Sequence, residues 1–234
     1  NQTLEKPIQI IHLLLSDKNQ MVHHRNLFVV GNNASAQVII CDHTLSPHMY
    51  LTNSVTEVHT GENSDLDILR LQNEHNNSCQ VTNTWINQAQ DSRCQHGTIT
   101  LHGGMVRNNL HVKMKGEGSE INALGLFLID KMQHVDNFTV IEHASPHCTS
   151  NQHYKGVLDD MSTGVFNGKI HVHPKQDLHD WTDRGPFLVH LPELFVHISF
   201  FQDIEEQMVP VRAPNHDIRL HDTPVLQLHA HGLV

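Results

Sequence analysis

The residues best suited to metal or cluster chemistry lie between Gln133 and Pro174, where His, Cys, Asp and Asn are unusually dense for a surface loop. His147 and Cys148 are adjacent there, and a thiolate beside an imidazole suits iron, zinc or a bound cluster. Neighbouring residues on a strand nevertheless point to opposite faces. We therefore keep His147 and Cys148 as candidate metal ligands but prefer a structural role for Cys148 at a tight corner.

A second candidate metal site is the pair His171 and His173. Residues two apart share one face of a strand, so these imidazoles are spaced to share an ion. Enzymes of the cupin type use such a pair followed by a glutamate, whereas the next glutamate here is Glu193. The pattern leaves open a metal-dependent β-sandwich enzyme using His171 and His173. An exposed strand face is the simpler interpretation.

Motifs for other chemistries do not support an enzyme. Asp159 with Asp160, and Asp177 with Asp180, are interpreted as charged turn residues rather than catalytic carboxylates. The sequence has no G-x-x-x-x-G-K-[ST] segment, which argues against ATP hydrolysis through a P-loop. It also has no G-x-S-x-G nucleophile motif.

Composition narrows the class of protein further. The formal net charge of −10 over 234 residues argues against a nucleic-acid partner. No apolar run approaches the roughly 18 residues of a membrane span. The four cysteines have no C-x-x-C spacing, which favours reduced thiols in a cytosol-like compartment over a disulfide framework. Histidine is abundant, at 23 residues, and this keeps metal binding among the interpretations.

The elements that would position these residues form a repeat of strand, Gly, polar pair, small residue and strand. The repeat occurs at Gly31, Gly61 and Gly116, at spacings of 30 and 55 residues. We expect each glycine to accept a positive φ at a turn, and each strand pair to bury its apolar face against the next coil. The pattern alone is compatible with a β-helix and with an antiparallel sandwich or barrel.

Four blocks in one order resemble the SufB/SufD family of iron–sulfur cluster assembly proteins, and specifically its SufD branch. They span 133–137, 146–150, 154–159 and 164–170. Similarity extends from about residue 4 to 174, is poor from 175 to 223 and returns at 225–233. SufD relatives carry a Cys-Ser-His-Gly segment that should fall near Val211 to Pro214. This chain has Val-Arg-Ala-Pro there, so no residue role is carried across.

The resemblance implies an all-β fold, a right-handed parallel β-helix (solenoid) over residues 1–224. Residues 225–234 would begin a C-terminal helical segment, and the chain would be a core lacking the family's terminal helical regions. It implies a non-catalytic scaffold subunit of a SufBCD-type complex, paired with a SufB-like subunit, docking a SufC-like ATPase and able to form a homodimer.

No cofactor is expected to be held firmly, although an iron–sulfur cluster could form transiently at the interface with SufB. Neither nucleic acid nor membrane is expected as a partner. The expected location is the cytoplasm, or the plastid stroma for a plant or alga. A purely structural β-solenoid is a further alternative.

Overall fold

The computed structural model describes residues 2–173 and two later strands, at 195–200 and 225–229. The described elements are fourteen β-strands in two seven-stranded sheets. Sheet A contains β1 (Ile8–Leu14), β3 (Ser35–Thr44), β5 (Asp65–Asn73), β7 (Arg93–His102), β9 (Glu120–Ile129), β11 (Thr149–Leu158) and β13 (Phe195–Phe200). Sheet B contains β2 (Gln20–Val30), β4 (Tyr50–Thr60), β6 (Cys79–Gln88), β8 (Met105–Met114), β10 (His134–His143), β12 (Thr163–Val172) and β14 (Val225–His229). In the described part, no helix is long and apolar enough to cross a membrane.

The chain winds as a solenoid, because each of the strands β1–β11 pairs in parallel with the strand two places further along. The strands β1–β12 supply two strands to each of six coils, which we number from the N-terminus. The coil length ranges from 30 residues at the Ile8–Val38 pair to 26 residues at the Cys79–Met105 pair. This parallel stacking confirms the predicted β-helix and rules out the antiparallel β-sandwich. The hand of the coil stays a prediction.

Alternation along each strand decides which side chains enter the interior. In β10, every second residue from Val135 to His143 is buried, and the residues between them are partly exposed. Both sheets contribute such inward rows, and the core cluster is rich in Val, Ile and Leu as the low aromatic content predicted. The interior is therefore a set of stacked rows, each contributed by the same position in successive coils.

The corner after each even-numbered strand is where the repeat of the sequence lies. Gly31, Gly61 and Gly116 all occupy it, as predicted, and Ala89 takes the equivalent position in the intervening coil. That replacement explains why the second spacing, from Gly61 to Gly116, is 55 residues, which is two coils. The predicted reason for the glycines was wrong, because none of the three has a positive φ.

The residue with a positive φ lies two positions after this first corner residue, whether or not that residue is glycine, at Asn33, Asn63, Asp91, Gly118 and His147. Positions 61 and 116 require a residue without a side chain, because the backbone of the preceding coil lies close to them. A Cβ on Gly116 would lie 1.9 Å from the backbone nitrogen of Gln90, and one on Gly61 would lie 2.6 Å from that of Asn32. Close approach of neighbouring coils therefore selects glycine here.

Coils five and six enclose aromatic side chains. The rings of Tyr154 and Phe166 lie 4.5 Å apart between centroids, and Phe127 is also buried. Strand glycines make room for them: a Cβ on Gly125 would lie 2.0 Å from Tyr154, and one on Gly156 would lie 2.2 Å from Phe127. We call Phe127, Tyr154 and Phe166 the aromatic interior.

The later residues give one difference from expectation. Residues 225–234 were expected to begin a helical segment, but Val225–His229 form β14, which pairs antiparallel with β12. A strand satisfies its backbone groups on the open edge of β12, whereas a helix there would leave that edge unpaired. The boundary at residue 224 stays a prediction, since most of 174–234 lies outside the described residues.

Candidate functional site

His147 and Cys148 lie at the corner between β10 and β11, and their side chains separate. His147 has a φ of 58° and a side chain that is 66% exposed, with Nε2 3.7 Å from Glu117 Oε1. Cys148 is buried, and its Sγ lies 3.4 Å from the Gly116 carbonyl oxygen. The corner therefore brings the two side chains to no shared point. Metal binding by His147 and Cys148 stays a prediction.

Cys148 takes the place that serine has in three other coils. Ser64, Ser92 and Ser119 each donate a hydrogen bond from Oγ to the carbonyl oxygen three residues earlier. The thiol of Cys148 instead contacts the preceding coil, at 3.3 Å from Ser119 Oγ and 3.4 Å from the Gly116 carbonyl oxygen. This equivalence indicates a structural role for Cys148, because its side chain fills the inward corner position that a serine side chain fills in the other coils.

His171 and His173 lie together near the end of the last described coil. Their ring centroids are 4.5 Å apart, and His173 Nε2 lies 3.2 Å from Glu142 Oε2. Glu142 also lies 3.5 Å from Lys113 Nζ, so its carboxylate is shared. The sequence could not show this glutamate as a neighbour, because it comes from the preceding coil rather than from the residues that follow the histidines.

The acidic residues have ordinary turn roles where the structure describes them. Asp160 has a φ of 55° at the corner after β11, and its Oδ2 accepts a hydrogen bond from the backbone N–H of Lys131. Asp177, Asp180 and the segment Val211 to Pro214 lie outside the described residues.

The densest polar cluster of the described residues lies inside coils one to three, where the sequence patterns predicted no site. Asp42 and Arg70 are both buried and joined by a 2.8 Å bond from Arg70 Nε to Asp42 Oδ2. Gln80 Nε2 donates to the same oxygen at 2.9 Å, and Arg70 Nη2 donates to Ser54 Oγ at 3.0 Å. Asp42 Oδ1 remains for His12, whose Nδ1 lies 2.8 Å away.

The cluster opens into a cavity of about 310 Å³ lined by both apolar and ionisable side chains. His12, His24, Asp42 and Glu74 supply its polar walls, and Leu14 and Val22 are among its apolar ones. His24 faces His12 across the interior, with ring centroids 4.1 Å apart. His24 Nε2 and both carboxyl oxygens of Glu74 are buried and have no hydrogen-bond partner of normal geometry.

Burial and the fixed charges of the cluster perturb its ionisation. Burial alone raises the pKa of Asp42, but the Arg70 guanidinium and the bond to His12 more than reverse this and hold it well below its usual range. Burial, reinforced by the Asp42 carboxylate, raises the pKa of Glu74 to about 7. Burial, with His12 and Arg70 nearby, lowers the pKa of His24 to about 4. Near neutral pH the cluster therefore contains a firm Asp42–Arg70 pair and a neutral His24.

A second group of amides continues along the interior in coils three to five. Asn108 is its centre, because its Oδ1 accepts from Gln72 at 2.9 Å and from Thr82 at 2.8 Å. Asn108 Nδ2 donates to Asn137 Oδ1 at 3.0 Å, and Thr100 Oγ1 donates to Gln72 Oε1 at 2.6 Å. This group shares no residue with the ionic cluster of His12, Asp42, Arg70 and Gln80, and it satisfies its polar atoms internally.

The sequence did carry a signal for the ionic cluster. Asp42 is in phase with the apolar residues Val38 and Ile40, and Arg70 is in phase with Leu66 and Ile68. Charged residues in phase with a buried face must be paired inside. The signal was missed because inward positions were assumed to be apolar throughout.

Comparison with known proteins identifies the family of this fold. The family described as "SUF system FeS cluster assembly, SufBD core domain" matches residues 13–178. An iron–sulfur cluster assembly SufBD family protein of Synechocystis sp. is 29% identical over 181 residues, covering 74% of this chain and 40% of that protein. A SufBD family protein of Mycobacterium leprae is 36% identical over 93 residues, covering 37% of this chain and 24% of its own length.

These matches place the described coils inside the family's core domain, and the chain spans 40% or less of both relatives. The matched region includes the ionic cluster from Leu13 onward, the amide group and the aromatic interior. This chain therefore belongs to the SufBD family of iron–sulfur cluster assembly proteins.

Proposed function

We propose that this chain is the core of a SufD-type, non-catalytic scaffold subunit, which pairs with a SufB-like subunit and docks a SufC-like ATPase. The observation that carries the proposal is the parallel solenoid, which coincides with the residues matched by the SufBD core domain. The four SufD-like blocks of the sequence favour SufD over SufB. The iron–sulfur cluster is cargo in this proposal, formed transiently against SufB.

The physical properties of the coils suit a scaffold. Continuous backbone ladders join β1 to β11 in sheet A and β2 to β12 in sheet B, so the described coils can move as one body when a partner moves. The sequence has no P-loop, and we assign nucleotide hydrolysis to the SufC-like partner. All four cysteines are free, which suits the cytoplasm or a plastid stroma as the proposed location.

Co-expression with SufB and SufC from one source organism tests the assembly. We expect the chain to elute with both partners in a stoichiometric complex on size-exclusion chromatography. Elution as a monodisperse monomer at low salt, with neither partner retained, contradicts the proposal and favours the purely structural solenoid.

Complementation separates SufD from SufB. The chain should restore iron–sulfur enzyme activity in a strain lacking SufD and fail to do so in one lacking SufB. Rescue of the SufB-deficient strain alone would assign the chain to the other branch.

A further inference from the structure

We propose that His12, His24 and Asp42 form a mononuclear site for a divalent transition-metal ion in coils one and two. One ligand atom from each residue lies within 4.8 Å of the others. Ligands on a single Zn²⁺ with bonds of about 2.0–2.1 Å lie roughly 3.3 Å apart, so small side-chain rotations bring the three atoms to an ion. The site is separate from the proposed scaffold role and does not depend on it.

The fold positions the three residues by register and by coil closure. His12 and Asp42 are direct partners in the β1–β3 ladder, and both point inward. His24 belongs to β2 in the opposite sheet, and it reaches the same point because coil one closes there. Two rigid sheets therefore present the ligands, which limits the rearrangement needed for binding.

Two groups with buried polar atoms that make no hydrogen bond of normal geometry support a cation site in this cavity. His24 Nε2 has no hydrogen bond of normal geometry, and neither do the two carboxyl oxygens of Glu74, a residue only 2% exposed, although the Thr52 hydroxyl lies near this carboxyl. Both groups line the same cavity of about 310 Å³. Buried polar atoms without partners are rare in native proteins, and an ion in the cavity would satisfy these atoms. Glu74 is then the candidate for a fourth ligand.

The surroundings orient Asp42 for this task. Arg70 Nε and Gln80 Nε2 both donate to Oδ2, at 2.8 and 2.9 Å, and they leave Oδ1 directed toward the histidines. Such outer contacts typically fix a ligating carboxylate. Two imidazoles and one carboxylate favour Fe²⁺ or Zn²⁺ over Mg²⁺ and Ca²⁺, which prefer ligand sets made of oxygen.

The test uses Zn²⁺ for affinity and Co²⁺ for spectroscopy on the full 234-residue chain. We expect one Zn²⁺ per chain by isothermal titration calorimetry. The His24→Gln variant should weaken binding by at least about 100-fold, since even loss of an outer-shell contact typically costs 10–100-fold. His24 Nε2 makes no hydrogen bond, so this change breaks none at that atom. His59→Gln, which changes an exposed histidine of β4, is the matched control and should bind as tightly as the unchanged protein.

The His171→Gln/His173→Gln double variant tests the competing surface pair. Retained stoichiometric binding in that variant supports the buried site. Loss of binding there, or unchanged affinity in His24→Gln, overturns the proposal, as does no binding at all by the unchanged chain. X-ray absorption of the Co²⁺ form gives a readout that needs no variant. A first shell of N and O with histidine scattering supports the site, and one containing sulfur refutes it.

Discussion

Coils one to three enclose ionisable side chains, whereas coils five and six enclose aromatic rings. The same parallel ladders and the same kind of corner surround both interiors, so the backbone fold does not dictate which side chains fill a coil. The ionic cluster joins Asp42 to Arg70 with bonds of fixed direction, and the aromatic interior fills space around Phe127, Tyr154 and Phe166. The difference shows that one solenoid can hold an ionic cluster in some coils and packed aromatic rings in others.

Removing the charge of Asp42 should lower stability more than any other change proposed here, because Asp42 is the counter-ion of a buried charge in the ionic cluster. Asp42→Asn leaves the Arg70 guanidinium buried without a counter-ion, and breaking a buried pair typically costs about 3–5 kcal/mol. The measurement is the free energy of unfolding in urea. Asp65→Asn is the control, because Asp65 forms an exposed pair with Arg93 and its loss should cost at most about 1 kcal/mol. Equal costs for the two variants would show that burial does not distinguish the pairs.

Glu74 should make the ionic coils less stable as pH rises, whereas the buried His143 of coil five, whose pKa burial lowers, should act in the opposite direction. Its pKa is about 7 in the fold against an ordinary value of 4.5, so the folded chain binds more protons between these values than the unfolded chain does. Glu74 should therefore contribute a loss of stability of about 3 kcal/mol as pH rises from about 4.5 to 7. His24 and His96, whose pKa values burial lowers from 6.5 to about 4, act in the opposite direction over part of this range. The measurement is chemical denaturation across this range with a chelator present. The contribution of Glu74 is the difference in unfolding free energy between the unchanged protein and Glu74→Gln at each pH, and an identical pH dependence of the two would assign the effect to another group.

Adding a methyl group to Gly125 probes the aromatic side. Its Cβ would lie 2.0 Å from the Tyr154 ring, and overpacking of this kind costs about 1–3 kcal/mol. Gly97→Ala is the control, because its nearest atom is the end of the Leu69 side chain at 3.1 Å, which can move. Thermal and urea unfolding measure both changes. In a double-mutant cycle, Gly125→Ala should cost little stability when Tyr154 is already alanine, because the ring that it would contact is gone. Strict additivity of the two changes would contradict the proposed clash.

Cys148 should give the smallest effect, because it lies at a corner and belongs to neither interior. Cys148→Ala is expected to cost about 1 kcal/mol in the free energy of unfolding and to leave subunit assembly intact. Cys148→Ser should cost less, since serine closes the equivalent corner at Ser64, Ser92 and Ser119. Loss of all cluster-building activity in the serine variant, with normal folding and partner binding, would instead make Cys148 a functional residue.

The fold was predictable where the corner repeat is regular. Gly31, Gly61 and Gly116 marked three corners of one edge, and the runs of Val, Ile and Leu beside them marked the strands. Ala89 concealed a fourth corner, because a coil boundary can be built there without glycine. The positive φ was assigned to the wrong residue, because close coil approach and backbone handedness act at different positions of the same turn.

The candidate site was less predictable, because its residues meet through stacking. The in-phase charges of Asp42 and Arg70 were visible as a pattern. Their contact, however, depends on which coil position lies above which, and His24 meets His12 only because coil one closes. Coil lengths that vary by a few residues shift every later alignment, so a periodic pattern alone cannot place such partners.

The stacked coils also fix the length of the solenoid in discrete steps. Each coil advances the chain by one strand spacing, about 4.8 Å, so the distance between the two ends of the solenoid changes only in whole steps of that size. Joining Val30 directly to Gly61 would remove one such step and still leave a complete corner. Relatives with different numbers of coils would hold whatever binds at their two ends at separations that differ by multiples of this increment.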